Sequence, residues 1–409
     1  MLGGYGAGQR PAAELPTADG DGWDAAFAAF HARFAPLFYR QEVRQRSARY
    51  VRGLLGLVER KNSWHLAEAV GEPDPQGMQR LLYAARWDAD AVRDELVRFV
   101  AEQWRDSDGI FAVDETGFLK KGTKSVGVQR QYTGTAGKTE NCQVGVFLTY
   151  VSPQGHAFLD RRLYLPESWT ADTDRRLTAT VPEHVVFQTK PELAWEMLQQ
   201  AWALGVPGRW VVGDTVYGQD PTLRTRLEVC APAVHYVLAV PSTTPIWQTQ
   251  PVVRTAAGTV RLIRRWAGTT VAALTDGLPP SAWRRLAVAT GTKGPRTYDW
   301  VAVRVVLGEH GWPAGDCWLL VRRSVAEPTE RAYYFSNAPP ETPLGTLARV
   351  AASRWPIEQG FEEAKGETGL DHYEVPRYDS WYRHITLSLL AHTFLADLRR
   401  REVGGKSAR

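Results

Sequence analysis

The chain has 409 residues, 44% of them hydrophobic, which suffices for two or three folding units with proper cores. Its net charge of +4, from 49 Lys and Arg against 45 Asp and Glu, permits a nucleic-acid partner without demanding one. No apolar run reaches membrane-spanning length, and three scattered cysteines (Cys142, Cys230 and Cys317) form neither a disulfide framework nor a zinc motif, which fits a reducing cytoplasm.

Residues 1–22 are rich in Gly, Ala and Pro and read as a flexible tail with no signal-peptide pattern. From 23 to 105 the pattern is helical: Phe27, Phe30, Phe34 and Leu37 recur at three- and four-residue steps. Leu54, Leu55, Leu57 and Val58 read as the start of a further helix. The stretch from Asn62 to Arg86 has helix, Gly-Pro turn, helix grammar, which suits a helix-turn-helix but is equally common in plain bundles. Arg40 to Arg49 is a basic segment on a helical pattern.

Strands dominate from 106 to 241. Ile110–Lys120, Val126–Thr133 and Cys142–Val151 read as an antiparallel meander, followed by a helix over Glu192–Leu204 and a short strand ending at Asp214. A helix at Leu223–Glu228 and a strand at His235–Val240 complete the series. Asp114 and Asp214 each close a short apolar run (Ile-Phe-Ala-Val-Asp and Trp-Val-Val-Gly-Asp). Either could be a turn cap, but a buried strand seldom carries an ionised acid without a partner. Two such strands point to a shared cation. Lys120, Lys121 and Lys124 follow the first acid directly, where a cluster of like charge suits phosphate.

Residues 242–340 alternate in strand fashion at Val260–Trp266, Thr270–Leu274, Tyr298–Leu307, Cys317–Arg323 and Arg331–Phe335, and hold six of the 16 tryptophans. This part reads as a β-rich insertion domain whose aromatics are mostly core. Its basic residues Arg261, Arg264, Arg265, Arg284, Arg285, Lys293 and Arg296 form a further cluster. The remainder, 341–409, returns to helix and ends in a segment packed through Ile385, Leu389, Leu390, Phe394 and Leu398. The nine histidines show no metal-ligand spacing and read as structural, with a functional role for His384 and His392 on the last helix as the minor alternative.

The densest signal is Arg354-Trp355-Pro356-Ile357-Glu358-Gln359-Gly360-Phe361-Glu362-Glu363-Ala364-Lys365. At about 100° per residue, Arg354, Glu358 and Lys365 share a stripe beside an apolar one formed by Ile357, Phe361 and Ala364. Alone, this could be a surface helix with ordinary ion pairs. Alongside two acid-tipped strands, Glu358 reads as a third carboxylate ligand. Glu363 lies roughly 140° away on the wrong face, whereas Glu362, about 40° away, is the competitor.

Asp114, Asp214 and Glu358 together resemble the DDE triad of bacterial cut-and-paste insertion-sequence transposases. Arg354, Glu358 and Lys365 match that family's signature Tyr-x2-Arg-x3-Glu-x6-Lys, with Ala351 at the tyrosine position. The resemblance implies a ribonuclease-H-like mixed sheet flanked by helices, built from 106–241 and 341–409, carrying the 242–340 insertion. It implies an N-terminal helical domain, 23–105, that binds DNA. It further implies two Mg2+ ions per site, with Mn2+ as a substitute, held by Asp114, Asp214 and Glu358. The partners would be double-stranded DNA at transposon terminal inverted repeats and target sites, and a second copy in a homodimer on DNA. Lys120, Lys121, Lys124, Arg354 and Lys365 would contact phosphates, and Trp355 would stack on a flipped base. The expected setting is the cytoplasm, nucleoid-associated when bound. Two alternatives share these residues: a structure-selective nuclease on the same core, and a domesticated, catalytically silent DNA-binding protein.

Overall fold

A computed structural model of the protein describes residues 20–407 apart from 231–232, 249–251, 255–259, 263–267, 292–293 and 310–311. Most of the expected tail, and Arg264, Arg265, Trp266 and Lys293, lie outside the described residues.

Five helices come first: α1 (Gly20–Phe34), α2 (Gln41–Leu55), α3 (Ser63–Ala69), α4 (Gln76–Tyr83) and α5 (Ala89–Gln103). Asn62 caps α3 by accepting from the His65 amide at 3.1 Å, and Asp88 caps α5. The expected helix start at Leu54 is a helix end instead. Gly56 is extended and closes α2, leaving Leu57 almost wholly exposed.

The sheet begins with β1 (Ile110–Leu119), β2 (Gln129–Thr133), β3 (Lys138–Ser152) and β4 (Gly155–Tyr164). The expected meander needs correcting here. β1 pairs with β3, not with β2, and β4, which sequence reasoning missed, is the third long antiparallel strand. β2 only extends a hairpin with the first residues of β3. The reason is the short turn at Pro153-Gln154-Gly155, where Gly155 has φ 128°, a backbone angle that suits glycine.

Short helices α6 (Glu167–Thr170) and α7 (Thr173–Thr178) lead to α8 (Lys190–Ala203), which opens with a full capping box between Thr189 and Glu192. Next come β5 (Trp210–Gly213), α9 (Thr215–Gly218), α10 (Pro221–Val229) and β6 (His235–Val240). β1, β5 and β6 run parallel. The strand order β4-β3-β1-β5-β6, three antiparallel strands and then two parallel ones, is the ribonuclease-H-like order expected from sequence. The fold is therefore a mixed α/β sheet flanked by helices.

The segment after β6 carries β7 (Pro245–Trp247), β8 (Val252–Arg254), β9 (Val260–Leu262), β10 (Thr269–Thr270), α11 (Val271–Asp276), β11 (Arg284–Gly291), β12 (Gly294–Glu309), β13 (Trp312–Ser324) and β14 (Arg331–Ser336). The strand expected over Thr270–Leu274 is mostly α11, because Thr270 caps a helix through the Ala273 amide. Apart from the β8–β9 hairpin, these strands continue the main sheet: β14 pairs with β6, then follow β13, β12, β7 and β10.

Three helices close the chain: α12 (Leu344–Ala352), α13 (Trp355–Thr368) and α14 (Tyr378–Ser407). α14 is the structural axis. Trp381, Ile385, Leu389, Leu390 and Phe394 are buried. The Phe394 ring packs on Phe27 and Phe30 of α1 at 5.4 and 5.3 Å. One continuous core thus joins the N-terminal helices to the sheet, each buried aromatic contributing about 1.5–3 kcal/mol.

Candidate active site

β1 and β5 lie side by side in parallel register, from Ile110 opposite Trp210 to Val113 opposite Gly213. The next residue on each is an aspartate, so Asp114 and Asp214 emerge together where β5 ends. Asp214 is also a turn cap: its Oδ1 accepts from the Val216 amide at 2.8 Å and starts α9. The two readings of this residue are compatible, since a carboxylate has two oxygens. α9 turns tightly against β6 because Gly218 has no side chain. A Cβ there would fall 1.8 Å from the Ala239 carbonyl oxygen.

Arg354 stands at the N-cap of α13 and joins the third acid to the first. Its guanidinium donates to Asp114 Oδ2 at 2.8 Å and to Glu358 one turn along the helix. Three carboxylates from β1, the β5–α9 turn and α13 therefore surround one region. Glu362 is exposed, and Glu363 faces away to pair with Arg399. Helix geometry therefore favours Glu358.

Burial pushes the Asp114 carboxyl up to about 7; the charges of Asp214 and Glu115 act in the same direction and Arg354 opposes them. Asp214 is raised for the same first reason, then by Glu115. Glu115 was missed by sequence reasoning. Strand alternation turns it away from Asp114, where Lys190 Nζ donates to it at 2.6 Å and the Tyr217 hydroxyl at 2.8 Å. The signal lay in the Asp-Glu pair at the end of the apolar run. With both oxygens engaged, Glu115 is less available as a ligand than its neighbours.

Among the described residues, four carboxylates (Asp114, Glu115, Asp214 and Glu358) meet two cations, Arg354 and Lys190. That negative surplus, held partly out of water, fits a divalent cation. An all-carboxylate donor set fits a hard ion of the magnesium type.

The expected DNA contacts divide into two groups. Lys121 and Lys124 are exposed. Trp355 is exposed too, with the Arg296 guanidinium 3.8 Å from its ring centre. Lys120 is directed inward: Nζ lies 3.2 Å from the Tyr373 carbonyl and 3.7 Å from that ring's centre, and burial lowers its pKa to about 8. Lys365 Nζ donates to Thr116 Oγ1 at 2.7 Å, tying α13 to β1. In the basic helix, Arg46 and Arg49 pair with Glu72. Ala351 is buried on α12, separated from α13 by a break at Ser353 and Arg354. No helix among the described residues is long and apolar enough to cross a membrane.

The sequence model of the DDE superfamily endonuclease family matches residues 33–304. That span includes Asp114 and Asp214 and stops before Glu358. The probable transposase for insertion sequence element IS701 of Microchaete diplosiphon is 28% identical over 173 residues, 41% of this chain and 41% of that protein. Among solved structures, the piggyBac transposase synaptic complex with hairpin DNA aligns over 93% of this chain and 67% of that one, at 11% identity and a TM-score of 0.41.

Proposed function

This chain belongs to the DDE superfamily of endonucleases, and from that premise we propose that it is an insertion-sequence transposase that cuts DNA at transposon ends and joins the freed 3′ ends to target DNA. The observation that carries the reading is the meeting of Asp114 and Glu358 on one guanidinium, with Asp214 just past the end of the neighbouring strand. The proposed ligands are Asp114, Asp214 and Glu358. These residues would hold a magnesium-type ion, manganese being a substitute, and the chemistry it would supply there is activation of water and stabilisation of a leaving oxygen.

The chain's own residues supply the rest. Arg354 neutralises Asp114 and Glu358 in the free protein and is placed to turn to a phosphate oxygen once cations take over that role. Lys190 and Tyr217 hold Glu115 and so fix the middle of β1 beside α9. Lys365 fixes α13 against Thr116, keeping Glu358 at the height of Asp114. We propose Lys121 and Lys124 as phosphate contacts and Trp355 as a stacking surface. Lys120 reaches DNA only if it leaves Tyr373. The helical segment 23–105 is proposed to grip the transposon end, and a second copy to complete a synaptic homodimer.

The test is cleavage. The DNA flanking the gene should be searched for inverted repeats, and full-length protein incubated with magnesium and DNA that carries them. Nicking at the repeat boundary, absent in Glu358→Gln, is the expected result. Cutting of branched DNA with no preference for repeat ends would replace transposition with a structure-selective nuclease. Binding without any cutting by the native chain would mean a silent DNA-binding protein.

A further inference from the structure

On the side of α13 turned away from the candidate active site, three side chains from three elements converge: His156 of β4, Glu363 of α13 and His392 of α14. Glu363 follows Glu358 by five residues, roughly 140° round the helix. One helix thus presents a carboxylate to each of two places. His392 Nε2 lies 3.4 Å and His156 Nε2 3.7 Å from the same Glu363 oxygen, Oε2. Ligand atoms of the three residues all fall within 4.8 Å of one another.

His392 is completely buried, yet neither of its ring nitrogens makes a well-formed hydrogen bond, and nor does His156 Nε2; both Nε2 atoms stand only at ion-pair range of Glu363 Oε2. Buried polar atoms without partners are rare in native proteins and need a physical reason. His384, elsewhere on α14, shows the usual arrangement: it bonds the Tyr50 hydroxyl at 2.8 Å and the Gly369 carbonyl at 3.0 Å. The separations around Glu363 are long for hydrogen bonds. The two Glu363 separations, 3.4 and 3.7 Å, approach the roughly 3.3–3.4 Å between atoms sharing a tetrahedral ion at about 2.0–2.1 Å, and the three ligand atoms, all within 4.8 Å, would draw closer on an ion.

We propose that His156, Glu363 and His392 form a second metal site, for a transition-metal ion of the zinc type, which pins α13 to β4 and α14. Two imidazoles and one carboxylate suit such a borderline ion, whereas the three acids on the other side suit a hard one. Three protein ligands leave a fourth position for water. Arg399 now donates to Glu363 Oε2 at 2.8 Å, and Gln359 to Oε1 at 2.7 Å. The Arg399 side chain is half-exposed and also holds Glu367 at 2.8 Å. It can therefore release Glu363 and keep a partner. Its guanidinium supplies the positive charge that the ion would bring. The functional consequence follows from the shared helix: an ion on Glu363 fixes the rotation of α13, and with it the position of Glu358.

Chelator-stripped full-length protein should be titrated with Zn2+, and with Co2+ as a spectroscopic probe. One equivalent bound, a tetrahedral cobalt spectrum and a rise in thermal midpoint are expected. The Asp114→Asn/Asp214→Asn double variant should keep all three, and His156→Gln should lose them. Arg399→Ala, a change at a half-exposed position, should bind zinc on the order of tenfold more tightly, because a charge-assisted competitor for Oε2 is gone. Native protein that takes up no such equivalent overturns the proposal. So does metal binding that disappears in the double aspartate variant and persists in His156→Gln, or an Arg399→Ala affinity that is unchanged or weaker.

Discussion

Arg354→Gln tests whether the guanidinium occupies the place of a cation. In the free protein Arg354 holds Asp114, whose side chain is 14% exposed, and Glu358, which is 35% exposed. A charge-assisted hydrogen bond contributes about 1.5–3 kcal/mol, and the Asp114 bond belongs in the upper part of that range. The Glu358 bond is discounted for solvent screening to less than about 1 kcal/mol. Breaking a buried pair costs about 3–5 kcal/mol when the remaining charge has no escape. Asp114 does have one: it sits near 7 already, and losing Arg354 raises it further, so at neutral pH it takes up a proton. The expected loss is therefore about 2–3 kcal/mol. Urea unfolding with a chelator present should show that loss, and saturating magnesium should reverse more than half of it. An equal loss under both conditions would refute the idea that arginine and metal neutralise the same charges.

Asp214→Asn and Glu358→Gln should bind end DNA with native affinity in a gel-shift titration and yield no cleavage product; loss of binding would give these acids a structural role instead. Alanine at Lys121 and Lys124 should weaken binding across DNA sequences and flatten the log-log salt dependence by about 0.9 for each phosphate that is no longer neutralised. An unchanged slope would make the pair a solvated turn. The Asp114 carboxyl is raised from 3.8 to about 7 on folding, so in that window the folded chain holds a proton that the unfolded chain has released. Its contribution therefore makes the fold less stable as pH rises from about 4 to 7, and the penalty is complete above 7. Magnesium binding should accordingly expel protons at about pH 6 and few at about pH 8, measurable by calorimetry in buffers of different ionisation enthalpy. Proton-independent binding would contradict the raised value.

Local signals carried most of the candidate site. Asp114 and Asp214 were legible because an acid that closes a buried strand conflicts with its surroundings, and Glu358 because helical spacing sets it one turn from Arg354. The parallel pairing of β1 with β5 then brought the two aspartates together, which neither strand states alone. Long-range partners were not legible. His156 and His392 have no meaningful spacing in the chain, and only the docking of β4 and α14 against α13 brings them to Glu363. Lys120 illustrates a different limit. Its neighbours Lys121 and Lys124 are exposed, but strand pairing and Tyr373 draw Lys120 inward, so three lysines that look alike in sequence occupy different settings.

The strands after β6 carry a similar lesson about distance along the chain. More than a hundred residues separate β6 from Glu358, and a linker of that length would leave the third acid without a fixed position. Instead the chain builds outward along the same sheet and comes back, so that β14 lies hydrogen-bonded beside β6. α12 then packs across β6, β5 and the returning strands, and α13 starts after a break at Ser353 and Arg354. The entry point of α13 is thus fixed by the strand that β14 pairs with, two positions from β1 in the sheet. Lys365 fixes its far end to Thr116. Glu358 lies between these two anchors, which is why an acid so remote in sequence can meet Asp114 through a single arginine.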